Sequence, residues 1–401
     1  MKRLHLVSGL VAALLVAACG STGGGGTTTN SYAGKIIKLG AILSITGAGS
    51  VYGPQSWNGA ALAVKQINNS GGVIGAQIAM TKNDDASLQA QSTQLAQKLI
   101  QQELDLALLG PTLSNSAVGV HPLAESLKTP ILAVSTTGIH IVPDCNNPST
   151  TPCKYVFRDS LGEQTAIPDN IKTYAAAAGS AKTGVLLVAQ DDKFSSDGGK
   201  IVQDTVGQYN ISLAATIKFN KGEADLSPYV TQAIQKKPDV IFITSLGGIP
   251  ATIMTEARKQ GFKGQFLGGN GFNTAKVSAQ AAAAGKGAQS ASAWYIGNTF
   301  ASNADFVSAY KTEYNSDPDQ FAAQGYAAIK ILADAAKRAN LTFTDLPGDR
   351  DRLRTAMESV NIQTPLGPFQ FTADHDVKQT VWVIQMDGAG GFTLVTKINP
   401  S

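Results

Sequence analysis

Histidine is scarce in this chain: His5, His121, His140 and His375 are the whole supply in 401 residues. With no HExxH, GxSxG or GxxxxGK[ST] pattern, the common metalloprotease, serine-hydrolase and P-loop chemistries lose their residues. Charge is also low, at 15% of residues, and no basic run exists, so nucleic acid is excluded as a partner. Removing Lys2 and Arg3 from the 32 basic residues leaves 30 against 29 acidic, a near-neutral remainder. Long apolar runs are missing too. The longest, Leu4 to Leu15, is shorter than the ~20 residues that span a bilayer. Its positive start and the small residues Val16-Ala17-Ala18 at its end have the layout of a secretory signal.

Cysteine is limited to Cys19, Cys145 and Cys153. In an exported chain the last two, within CNNPSTTPC, predict a disulfide pinching a surface loop. A metal there is not expected, because no histidine is near and two thiolates do not complete a tetrahedral site. Cys19 directly follows the small residues, which resembles a bacterial lipoprotein signal, the cysteine becoming the acylated first residue. Residues 20–34, GSTGGGGTTTNSYAG, carry no charge and no hydrophobic periodicity. They read as a flexible tether reaching on the order of 20 Å.

The chain beyond residue 34 is longer than one hydrophobic core usually serves, so two lobes are expected. Strand and helix patterns alternate. Strands are predicted at 36–45, 77–82, 104–109 and 130–134, with helices at 54–69, 87–102 and 115–127 between them. After the cysteine loop the alternation restarts, with strands at 184–189, 212–219, 239–244 and 265–267. Helices at 195–208, after Asp225 and at 250–260 separate them. Helices at 305–314 and 322–339 and a hairpin turning at Asp387-Gly388 complete the chain. The fold class is therefore α/β, with two doubly wound, Rossmann-like lobes.

Ligands of such sheets bind beyond the carboxyl ends of the strands. Gly47-Ala48-Gly49-Ser50-Val51-Tyr52-Gly53 lies there, but its GxGxxxG spacing is wrong for a dinucleotide. The acidic pair Asp84-Asp85 also comes only after the next strand. The loop instead delivers Tyr52 to the crevice. Ser114-Asn115-Ser116 opens a helix beside unpaired backbone N–H groups, which suits a carboxylate or anion, or simply caps the helix. The Ser135-Thr136-Thr137 turn points into the same crevice.

Over nearly its whole exported length the chain resembles the branched-chain amino acid binding proteins of ABC importers, the type I periplasmic binding fold. KLGAILSITGAGSVYGPQSWNGAALAVKQINNSGGVIG, NDDASLQAQSTQLAQKLI, LGPTLSNSA and PILAVSTTG carry the likeness in the first lobe. DDKFSSDGG, PDVIFITSLGG, FLGGNGF, QFAAQGYAAIKIL and TPLGPFQF carry it further on. The resemblance implies a three-strand hinge, with residues 36–158 and 296–374 forming one lobe and 159–295 and 375–401 the other. It implies a ligand site at Tyr52, Ser114, Ser116, Ser135, Thr136, Thr137, Phe194 and Phe321. Two positions depart from the family pattern. Leu246 stands where an aromatic is frequent, and Asn270 stands where amino acid binders carry a glutamate for the ligand ammonium. Asp191 or Asp192 is left as a substitute for that charge.

The expected function is a lipoprotein that captures a small amino acid, carboxylate or amide. It would pass its ligand to a permease at the outer side of the cytoplasmic membrane, with no cofactor. The alternatives are a ligand-sensing receptor component, expected to carry a transmembrane helix and an intracellular module, and a nucleotide-binding enzyme.

Overall fold

A computed structural model describes residues 32–142, 145, 153–180 and 182–400. Cys19, the signal segment and the tether up to residue 31 lie outside the described residues. The packed chain begins earlier than predicted. Tyr32, assigned to the tether, is buried, its ring against Phe343 and its hydroxyl accepting the Leu341 amide at 2.7 Å. An aromatic ring with a satisfied hydroxyl anchors the start of the packed chain.

The first unit is a run of parallel βα elements: β1 (Ile36–Leu43), α1 (Gly53–Asn69), β2 (Gln77–Asp84), α2 (Gln89–Gln101), β3 (Ala107–Leu109), α3 (Ser114–Ser126), β4 (Ile131–Ala133) and β5 (Val156–Arg158). The sheet order is β2-β1-β3-β4-β5, parallel throughout. Strands β3, β4 and β5 are buried end to end, as a sheet covered on both faces requires. Strand β3 is shorter than its apolar run. Leu104 is exposed with φ 59°, and Asp105 is drawn inward, so pairing starts only beyond them.

The second unit comprises α4 (Glu163–Ala178), β6 (Lys182–Ala189), α5 (Lys193–Thr205), β7 (Ile211–Phe219), α6 (Ser227–Gln235), β8 (Val240–Thr244), α7 (Ile249–Lys259), β9 (Gln265–Gly268), α8 (Ala275–Gly285) and β10 (Gln289–Ser292). Asp225 does not cap α6 directly. It accepts the Ser227 amide in the turn before that helix. Then come α9 (Asn303–Tyr314), α10 (Gln320–Arg338), α11 (Leu346–Glu358), the small hairpin β11 (Ile362–Thr364) and β12 (Gly367–Phe369), and the hairpin β13 (Val381–Met386) with β14 (Phe392–Ile398). The second sheet runs β14-β13-β10-β9-β8-β6-β7, with β13 antiparallel to β10 and β14 antiparallel to β13.

The chain thus passes between the units after β5, after β10 and after β12. The late helix α10 returns to the first unit and lies against α1. Two glycines allow that approach: a Cβ on Gly59 would sit 1.8 Å from the Ala322 carbonyl oxygen, and one on Gly325 would sit 2.0 Å from that of Ser56. Arg158, fully buried at the end of β5, clamps the first and third passages together. Its guanidinium takes both carboxylate oxygens of Asp376 and donates to the Gly138 carbonyl. Cys145 and Cys153 are disulfide-bonded with Cα atoms 5.9 Å apart, and Glu125 receives the amides of Lys154 and Tyr155 where the loop rejoins the sheet.

Candidate functional site

The two sheets turn their carboxyl ends toward one another and leave between them a narrow cleft, nearly filled by its own side chains. The first unit lines it with Tyr52, from the loop before α1, with Thr112, Leu113 and Ser114 at the start of α3, and with Ser135 after β4. Phe194 in the first turn of α5, Leu246 after β8, and Asn270 with Gly271 after β9 line the other side. Phe321 enters from the first turn of α10, where the Asp319 carboxylate receives the Phe321 and Ala322 amides. Beyond Leu113 and Leu246 the cleft opens to a wider mouth that includes Ser87, Asp192 and Lys221.

The structure therefore brings together Tyr52, Ser114, Ser135, Phe194, Leu246, Asn270 and Phe321. Three predicted residues do not reach the cleft. The Ser116 hydroxyl points behind α3, into a buried network with the Asp85 carboxylate and the Ser92 hydroxyl. That carboxylate also takes the Ser44 hydroxyl at 2.7 Å and the Ser87 amide. Serine there satisfies a buried charge. Thr136 is fully buried, and its carbonyl accepts the Ser160 hydroxyl. The Thr137 hydroxyl donates to Glu163 at 3.3 Å, and its carbonyl accepts the Glu163 amide. Both threonines serve the passage between units, because the turn continues into it instead of folding over the cleft.

On the first-unit wall, donors dominate. Leu113 occupies the N-cap of α3 with no side-chain cap, so the first amides of that helix lack a partner from the helix itself. They lie beside a cleft that Leu113 and Ser114 line. The Ser114 hydroxyl accepts the Gly138 amide at 3.3 Å, which leaves its own proton to offer. Ser135 spends its proton on the Thr112 carbonyl at 2.8 Å. A helix N-terminus with a free hydroxyl is suited to a carboxylate.

The opposite wall carries no carboxylate among the described residues that line the cleft. Asp191 is exposed and receives the Lys221 amide. Asp192 caps α5 through the Ser195 amide and reaches across to the Asn115 side chain at 3.2 Å. Asp191 stays outside the cleft, and Asp192 stands at its mouth with both oxygens engaged. A carboxylate that sequence reasoning missed lies just behind the wall. Glu163, fully buried at the start of α4, accepts the Asn270 amide at 2.7 Å through the same oxygen that meets Thr137. Its second oxygen has no partner among the described residues, and burial pushes its pKa up to about 7.

Tyr52 joins the walls. Its buried hydroxyl accepts the Gly247 amide and donates to the Gly271 carbonyl, both at 3.0 Å, and its ring packs on Phe321 with centroids 4.9 Å apart. Burial holds the phenol well above its ordinary pKa, so it stays a neutral donor. Asn115 adds a second bridge, its side-chain oxygen accepting the Lys193 amide at 2.6 Å.

Two facing lobes, three passages between them and a cleft closed by cross-lobe hydrogen bonds define a protein that encloses a small ligand. The periplasmic binding protein family model matches residues 36–391, and the chain belongs to that family. It is similar to the leucine-, isoleucine-, valine-, threonine- and alanine-binding protein of Pseudomonas aeruginosa, with 25% identity over 87% of this chain and 89% of that one. Among solved structures it resembles the branched-chain amino acid transporter substrate-binding protein of Streptococcus pneumoniae in complex with isoleucine. The TM-score is 0.80 at 24% identity, over 92% of this chain and 99% of that one. A solute-binding protein of an ABC transporter from R. palustris, in complex with benzoate, matches at a TM-score of 0.79 and 22% identity. It covers 91% of this chain and 97% of that one. These are ligand-binding proteins and not enzymes. No helix among the described residues is long and apolar enough to cross a membrane.

Proposed function

We propose that this protein captures a small organic carboxylate or amide outside the cytoplasm, closes over it and delivers it to an ABC importer. One observation carries the ligand class: a helix N-terminus and the Ser114 hydroxyl face a wall that offers the Asn270 amide in place of a carboxylate. An α-ammonium left without its counter-charge in such a cleft typically costs ~3–5 kcal/mol. The benzoate complex of a similar fold supports a ligand without an amine. An amino acid is the second reading, supported by the relatives' names and by Glu163, which lies one backbone amide away from the cleft.

On this reading the lobes are residues 36–158 with 296–374 and 159–295 with 375–401. Cys19 carries lipid that holds the protein at the membrane, the intervening glycine-rich segment acting as spacer. Calorimetry with aliphatic and aromatic acids, their amides and branched-chain amino acids tests the ligand class. Submicromolar binding of leucine or valine would refute the first reading. Membrane fractionation of Cys19→Ser tests the anchor: release from the membrane or a processing defect is expected, and unchanged retention would sink it.

A further inference from the structure

An asparagine side chain has a donor end and an acceptor end, and which of them meets a ligand decides what that ligand must offer. At Asn270 the choice is fixed from outside the cleft. The Ala293 backbone N–H, which can only donate, points at the Gln320 carboxamide at 2.8 Å. That atom is therefore Oε1, and Nε2 must occupy the other position, where it meets Asn270. Asn273 is fixed in the same way. One of its amide atoms lies 2.8 Å from the Ala291 carbonyl, so that atom is Nδ2, and it also reaches Asn270 at 3.4 Å. Both neighbours thus present donors to Asn270, which answers with Oδ1. Its Nδ2 has no partner among the described residues, while the residue lines the cleft.

We infer that Gln320 is a positioning residue that sets ligand polarity, holding Asn270 with its donor toward the cleft. The second wall then asks for an oxygen acceptor, as the first wall does. Resting on the carboxylate reading above, this names the class: carboxylic acids with a second oxygen acceptor, of which α-keto acids are the direct test. A keto acid differs from its amino acid only in placing a carbonyl where the ammonium would be. Opposing an ammonium to the Asn270 N–H leaves both donors unsatisfied in a buried site.

The experiment is calorimetry with three matched pairs: leucine and ketoisocaproate, phenylalanine and phenylpyruvate, alanine and pyruvate. In the native protein the keto acid of at least one pair should bind tighter than its amino acid by roughly tenfold or more, each tenfold corresponding to ~1.4 kcal/mol. Gln320→Glu should reverse that preference. One oxygen of the introduced carboxylate keeps the Ala293 amide, and the other presents an acceptor that turns the Asn270 amide over, this closer contact outweighing the Asn273 donor at 3.4 Å. The Ala293 amide, the Ser292 hydroxyl and Asn273 are donors ready to accept that charge. Gln320→Met removes the donor without adding charge and should bring the ratio toward unity. That variant separates amide orientation from simple electrostatic attraction.

A preference that neither variant changes, with both still folded by thermal melting, overturns the inference. So does a native preference for the amino acids, or no binding of any keto acid. The underlying carboxylate reading is tested separately by Ser114→Ala. If that variant leaves the bound probes' affinities unchanged, the carboxylate is not held by the Ser114 hydroxyl, and the reading that rests on that donor fails. If it weakens both members of a pair while the Gln320 variants leave the ratio fixed, only the polarity inference fails.

Discussion

The two walls of the cleft are made differently. The first is largely main chain: the open N-terminus of α3 beside a hydroxyl that local backbone holds in place. The second presents a side-chain amide oriented through Gln320, at the start of α10, and Asn273, three residues along the same turn. Main-chain donors cannot be mutated away and suit any carboxylate. A side-chain amide held by a remote partner can be re-aimed by one substitution. In such a cleft, affinity for the class and choice within the class are separable, each resting on its own wall.

Four perturbations separate the walls further. The largest effect is expected from Gly325→Val. The added carbons collide with the Ser56 carbonyl, so α10 must move off α1 and carry Phe321 with it. Urea unfolding should show a loss of about 3 kcal/mol or more, as overpacking at a backbone contact predicts. A loss below about 1 kcal/mol would mean that the crossing is not tightly set.

Next is the pH response behind the second wall. The Glu163 pKa is raised from 4.5 to about 7 in the folded chain. Its contribution to stability is therefore fully present below about 4.5 and is lost as pH rises through about 7. The full swing is on the order of 3 kcal/mol. Buried Asp105 and Asp319 shift the same way, so the measurement is a difference. Glu163→Gln should lose less stability than the native protein between mildly acidic and mildly alkaline buffer. Identical slopes in urea melts would show that Glu163 does not titrate as its surroundings dictate.

Tyr52→Phe tests the joint between the walls. It leaves the Gly247 amide and the Gly271 carbonyl without their shared partner, at a cost of roughly 2 kcal/mol to the closed form. Small-angle scattering with saturating ligand should report a more open average shape, and ligand should dissociate faster. Unchanged dissociation would remove the hydroxyl from closure. The smallest effect is expected at Ser114→Ala, about 1 kcal/mol of ligand affinity, since the α3 amides remain. Calorimetry should find the carboxylate several-fold weaker, with little change in thermal stability.

Legibility followed the same division. The βα alternation was readable wherever strands are apolar, because a sheet buried on both faces writes itself as runs such as Val240–Thr244. Strand β10, Gln-Ser-Ala-Ser, is buried but carries no apolar run, and it was missed. Helix α4 contains Pro168, α8 is mostly alanine, and α11 is dominated by charge, so each lacks a clear apolar stripe. In the cleft, residues in turns directly after strands were found, because topology alone sends those turns to the crevice. Thr112 and Leu113 stood in a turn already singled out. Glu163 and Gln320 had no local signal. What they do depends on partners far away in sequence, which periodicity cannot report.

The return of α10 to the first unit also fixes an order of events in time. Tyr32 near the start of the packed chain takes its hydrogen bond from Leu341, 309 positions later. At ~5–20 residues per second of synthesis, that partner arrives roughly 15–60 s after Tyr32 has been made. Until then the first sheet lacks Ile329, Ile331 and Leu332 from its core, and the face that α10 completes stays partly uncovered. An unfinished chain of this topology remains unfolded at its leading end, the state a narrow translocation channel requires of its cargo.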